Sequence, residues 1–173
     1  MNKTAIVYWL MPAKPERELF CSIIRILRNE FGAPNFEPHL TLFVTTADRV
    51  SPKKVLQQIR ARPIRLTARG VTFSEKFTKT LYARFKSSPA LRKVVADLGR
   101  GAKARATSPA DPHVSLLYKK MSRTAKKEMA SVLRLPFRTV VFDSIAAVRL
   151  TLPVSKGADV KKWKIVAKKS LRR

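Results

Sequence analysis

The chain contains two histidines, and both stand in the same seven-residue pattern. Residues 37–43 read EPHLTLF and residues 111–117 read DPHVSLL: acid, proline, histidine, aliphatic, hydroxyl residue, leucine, apolar. On a β-strand, residues i and i+2 point to the same face about 6.6 Å apart. His39 with Thr41, and His113 with Ser115, therefore form two imidazole and hydroxyl pairs, while Leu40 and Val114 point the opposite way into an apolar layer. Imidazoles with an ordinary pKa of about 6.5 can divide acid–base work, one neutral to accept a proton and one charged to give it. Hydroxyls donate hydrogen bonds to non-bridging phosphoryl oxygens, where charge accumulates in a transition state. The set suits cleavage of a phosphodiester, a scheme that requires neither metal nor cofactor.

The elements that must carry these residues repeat as well. TAIVYWLM at 4–11 is β-branched and aromatic, and reads as a strand. In ERELFCSIIRILRNEF, Leu19, Phe20, Ile23, Ile24, Leu27 and Phe31 recur at helical spacing and predict a core-facing stripe that ends at Gly32. HLTLFVTT at 39–46 reads as a strand, Ser51 and Pro52 open a basic helix KKVLQQIRAR, and 64–74 and 79–86 read as strands around a turn-like EKFT. Ser88 and Pro89 open a third helix, HVSLLY at 113–118 is the second histidine strand, and Ser122 precedes a fourth helix at 123–133. Segments 138–152 and 163–171 complete the pattern as strands. Strand, helix, histidine strand, helix and strand thus occur nearly twice. If the two halves pack about a pseudo-twofold axis, the four side chains meet in a cleft.

A chain of 173 residues with 45% hydrophobic content can bury a sizeable core. Thirty-seven Lys and Arg against 11 Asp and Glu give a formal charge of +26. That excess attracts polyanions, nucleic acid first among them, although scattered basic residues also serve plain solubility. One cysteine, Cys21, excludes an intramolecular disulfide framework, suits a reducing, cytoplasmic location and has no activating neighbour in sequence. No stretch approaches the ~20 apolar residues that span a bilayer, so no membrane partner is expected. Glu37 and Asp111 alternate with the histidines and make a metal site conceivable, but a metal-free site is the expectation.

PHLTL and PHVSLLY, with YWLMP on the first strand, FGAPNFEPHLT, HVSLLYKKMS and WKIVA, resemble the paired His-x-Thr/Ser motifs of the two-histidine (2H) phosphoesterase superfamily. The chain most resembles the cyclic phosphodiesterase branch known from plants and yeast. The resemblance implies a bilobal α+β domain over residues 1–173, with two antiparallel sheets in a pseudo-twofold arrangement, flanking helices and a central cleft. It implies that His39 and His113 are the acid–base pair, that Thr41 and Ser115 bind the phosphate, and that Tyr118 and Trp9 line the substrate pocket. The implied reaction opens a 2′,3′-cyclic phosphate, or the 1″,2″-cyclic phosphate of ADP-ribose, to an acyclic monoester, usually the 2′-phosphate. Which histidine is the base stays open in motifs this symmetric. Two alternatives stand beside this reading: a 2H enzyme that processes or ligates longer RNA, and a non-catalytic RNA-binding module. Lys119, Lys120 and Arg84 are candidates for contacts with RNA, and a monomer is expected.

Overall fold

The computed structural model describes residues 3–46 and 49–171. Seven strands and five helices follow one another as β1 (Lys3–Pro12), α1 (Glu16–Phe31), β2 (Leu40–Thr45), α2 (Pro52–Gln58), β3 (Ile64–Phe73), β4 (Leu81–Phe85), α3 (Pro89–Gly101), β5 (His113–Leu117), α4 (Arg123–Val132), β6 (Thr139–Leu152), α5 (Gly157–Val160) and β7 (Lys164–Ser170). A single 3₁₀ turn at Phe77–Lys79 joins β3 to β4. The serines that the sequence marks as helix starts act as caps. Ser51, Ser88 and Ser122 each accept the backbone N–H three residues on, from Lys54, Leu91 and Ala125.

Every strand pairing is antiparallel, in the order β1-β2-β5-β4-β3-β6-β7, with β1 also bonded to β6. The ladder therefore returns on itself. β6 makes this possible by length: its first residues pair with β3, and the remainder lies between β1 and β7. The two expected sheets are present as two halves of one hydrogen-bonded ladder, joined along β6 and touching again where β2 meets β5. At that second junction the register contains one pair, Leu40 opposite Val114.

Both Leu40 and Val114 are fully buried, in the main core between the ladder and helices α1, α2 and α3. The opposite face of β1 and β6 carries a smaller cluster, Ala5, Val7, Trp9, Met11, Ala146, Val148 and Leu150, covered by Leu152, Val154 and Trp163. β1 thus buries both faces and reads as a continuous apolar run.

Three expectations shift. Leu19 stays 41% exposed because the buried face of α1 centres on Phe20 and Ile24. The second helix stops at Gln58, since Ile59 turns to extended backbone and drops its side chain into the core ahead of Pro63. His39 lies just before β2 rather than on it.

Candidate active site

Because Leu40 and Val114 face the core, their chain neighbours face the other side of the ladder. The antiparallel run about this pair sets His39 across from Ser115 and Thr41 across from His113. Each hydroxyl residue therefore stands opposite the histidine of the other motif. Four polar side chains from two distant segments surround one backbone rung.

The rings are fixed in the same way. Nδ1 of His39 lies 2.6 Å from the carbonyl oxygen of Glu37, and Nδ1 of His113 lies 2.8 Å from that of Asp111. A carbonyl only accepts, so Nδ1 carries the proton on both rings and Nε2 is left for chemistry. The proline of each motif, Pro38 or Pro112, stands between the carbonyl and the histidine it holds.

The surroundings differ. His39 is buried and stacked on Trp9, with centroids 3.7 Å apart and planes 12° from parallel. Burial pushes its pKa down from 6.5 to about 4, opposed by the Glu37 carbonyl and assisted slightly by charge on His113. His113 is more open, and Tyr82 packs edge-to-face on it at 5.1 Å. Its pKa is also lowered, first by burial and then by Lys79 and Lys76, while the Asp111 carbonyl and carboxylate pull upward.

Tyr82 was not singled out by sequence reasoning, yet it pairs with Ser115 as Trp9 pairs with Thr41. The repeat thus extends from the histidines to their aromatic neighbours. Lys79 is a second missed residue: its Nζ sits 4.2 Å above the Tyr82 ring and 2.7 Å from Asp111 Oδ2. Arg84 lies opposite His113 and spends its Nε on Asp111 Oδ1 at 2.8 Å. Asp111 is therefore held below the ordinary carboxylate range by Lys79 and Arg84, and Glu37 is paired with Arg17 at 2.6 Å. The two carboxylates that suggested a metal are bound to cations, and no group of three metal-ligating side chains occurs among the described residues.

Ser115 donates its hydroxyl proton to the Thr78 carbonyl at 2.8 Å. Tyr118 interacts with the Ser115 hydroxyl in turn, which opposes the effect of burial on its phenol. Tyr118 is buried and stacked on Phe36 at 3.8 Å, and burial pushes its phenol pKa up. It touches the site through Ser115. Trp163, another residue not anticipated, stands edge-on to Trp9, His39 and Tyr118 and closes the aromatic wall. Cys21 lies apart on α1, exposed, with its thiol pKa raised by partial burial and by Glu37. No helix among the described residues is long and apolar enough to cross a membrane.

A ladder of two antiparallel halves, each presenting a histidine and a hydroxyl on the side away from the core, defines a class that family comparison makes specific. The profile of the 2′-5′ RNA ligase superfamily matches residues 18–151, and the chain belongs to that superfamily, the 2H phosphoesterases. A cyclic phosphodiesterase from Arabidopsis thaliana is 25% identical over 132 residues, 73% of this chain and 72% of the relative. The crystal structure of E. coli LigT complexed with 3′-AMP aligns over the whole of both chains with a TM-score of 0.63 at 13% identity. A protein from Thermus thermophilus aligns over 97% of this chain and 98% of its own, with a TM-score of 0.56 at 17% identity. At such identities the two structures establish the fold.

Proposed function

We propose that the protein hydrolyses 2′,3′-cyclic phosphates on nucleotides or RNA ends, with His39 and His113 as the acid–base pair. The observation that carries this reading is the matched presentation of two imidazoles. Each donates Nδ1–H to the carbonyl two residues back, which leaves Nε2 free on two rings that the strand register sets next to two hydroxyl residues. The Arabidopsis relative, named a cyclic phosphodiesterase, supports the choice of a cyclic substrate.

In this scheme water attacks phosphorus in line as one histidine takes its proton. The bond to the 3′-oxygen breaks, the other histidine protonates that oxygen, and a 2′-phosphomonoester remains. The unequal surroundings favour His39 as base and His113 as acid. His39, sealed under Trp9, resists protonation, whereas His113 has the Asp111 carboxylate nearby to support its charged form. Thr41 and Ser115 donate to the non-bridging oxygens, Ser115 by turning its proton from the Thr78 carbonyl to the phosphate.

Phosphorus NMR of a 2′,3′-cyclic mononucleotide incubated with the protein in EDTA tests the reading. The expected result is one monoester product, with the rate reduced by about 10²–10⁴ in His39→Ala and in His113→Ala while circular dichroism is unchanged. Persistence of the ring with the wild-type protein, or turnover by either variant equal to that of wild type, rejects it.

A further inference from the structure

Next to the candidate site lies a second cavity, of about 790 Å³, whose wall contains Arg28, Lys119, Lys120, Lys156 and Lys161 and no carboxylate. These cations come from four separate places. Arg28 is in the last turn of α1, Lys119 and Lys120 follow β5, Lys156 caps α5 and Lys161 ends it. Gly32, with φ at +60°, ends α1 in a left-handed turn that brings residues 32–35 into the same wall.

Among the described residues, none of the five cations has an ion-pair partner, although Asp111, Glu37 and Glu75 each attract one or more cations elsewhere. The nearest acid on the adjoining loop, Asp159, has its carboxylate on the loop's own backbone, and its pKa is lowered by those bonds and by the charge of Lys156. It accepts the backbone N–H of Ser155 at 3.0 Å and of Lys156 at 3.1 Å, which fixes the loop that presents Lys156. Five like charges around a concave wall repel one another, an arrangement favourable only when anions enter it.

The cavity adjoins the site through one shared residue. Tyr118 lines it, and the same side chain bonds Ser115. Asn35 and Lys161 also line a smaller cavity of about 310 Å³ whose wall includes Trp9, Phe36 and Trp163. Shared lining residues thus link the ring stacked on His39, by way of Trp163, to the cations. Phe77 and Trp163, both only partly buried, offer ring faces along it.

We infer that this basic cavity holds backbone phosphates of a single-stranded RNA whose 3′-terminal cyclic phosphate lies between His39 and His113. The inference rests on the cyclic phosphodiesterase reading and narrows its substrate from nucleotides to RNA ends. One phosphate is recognised by a few donors, whereas five unpaired cations match a run of phosphates, and partly exposed aromatic rings suit bases without sequence preference.

The test measures binding and turnover separately. Binding of a fluorescein-labelled RNA hexamer ending in a 2′,3′-cyclic phosphate is followed by anisotropy across a salt series, in a His113→Ala background that stops cleavage. Single strands contribute a slope of about −0.7 per phosphate contact in log K against log salt. Lys156→Gln with Lys161→Gln, and separately Lys119→Gln with Lys120→Gln, should each make the slope shallower by about 1.4. Lys53→Gln with Lys54→Gln, on the exposed side of α2, should leave it unchanged. With His113 restored, each cavity pair should lower the ratio of kcat/KM for the hexamer to that for a cyclic mononucleotide. Slopes equal to wild type in both cavity pairs overturn the inference even if cyclic nucleotides are opened. Loss of binding in those pairs without turnover of any substrate rejects the catalytic reading instead and retains the cavity as an RNA site.

Discussion

Replacing His39 by Asn tests the burial of that imidazole thermodynamically, without reference to any substrate. The Asn side-chain amide sits near the position of Nδ1 and keeps a donor for the Glu37 carbonyl, while the titrating ring is gone. In the wild type the folded pKa is about 4 against 6.5 when solvated. A depressed histidine means that the unfolded chain binds the extra proton, so stability attributable to His39 is intact above pH 6.5 and is lost as pH falls from there towards 4. At about 1.4 kcal/mol per pH unit the full loss is about 3 kcal/mol, of which about 2 kcal/mol is gone by pH 5. Urea denaturation of both proteins at a series of pH values between 7.5 and 5 gives the difference curve. Acid effects of the +26 chain and of His113 appear in both proteins and largely cancel. The stability advantage of wild type over His39→Asn should shrink by about 2 kcal/mol across that range, with a slope approaching one proton below pH 6. A difference that stays constant with pH would refute the burial argument and with it the assignment of His39 as the standing base.

Lys79→Met removes the ammonium that helps depress His113, so the basic limb of the pH–rate profile should move to higher pH; an unmoved or lowered limb contradicts the role given to Lys79. Thr41→Val and Ser115→Ala should each reduce kcat for a cyclic nucleotide by about 10²-fold with KM changed less, as for removal of a donor to developing charge. A Cβ at Gly99 would lie 2.7 Å from Ala106 Cβ and 3.0 Å from the Ala104 carbonyl oxygen. Gly99→Ala should therefore cost about 1–3 kcal/mol, read as a fall in Tm of about 2–4 °C per kcal/mol, and an unchanged Tm would show that the 104–106 segment yields freely.

Local chemistry made most elements legible. Ser-Pro pairs before α2 and α3 mark their starts because the serine side chain and the proline ring satisfy the same first turn, and Gly32 marks the end of α1 for its left-handed backbone. The doubled histidine motif gave the four polar residues and their common face, since a period of two is a property of five consecutive residues. The return of the ladder through β1 and β6 was beyond reach, because no local pattern states which strand lies beside which. Tyr82 was missed for the same reason. It neighbours Ser115 only through the register of β4 on β5, although its position relative to the second motif matches that of Trp9 relative to the first. Lys79 and Trp163 arrive from a 3₁₀ turn and a loop end, where sequence gives no direction to a side chain. Lys119 and Lys120 were picked out, but Arg28, Lys156 and Lys161 join them only in three dimensions.

The junction of β2 and β5 is one rung wide, whereas β1 and β6 are matched along ten consecutive residues of β1, Lys3 to Pro12. The long seam ties β1 to the middle of the ladder; the short one sets the two histidine motifs side by side. A smaller apolar side chain at Leu40 or Val114 would therefore act twice, loosening the main core that both residues fill and the narrow seam that sets the two histidine motifs side by side.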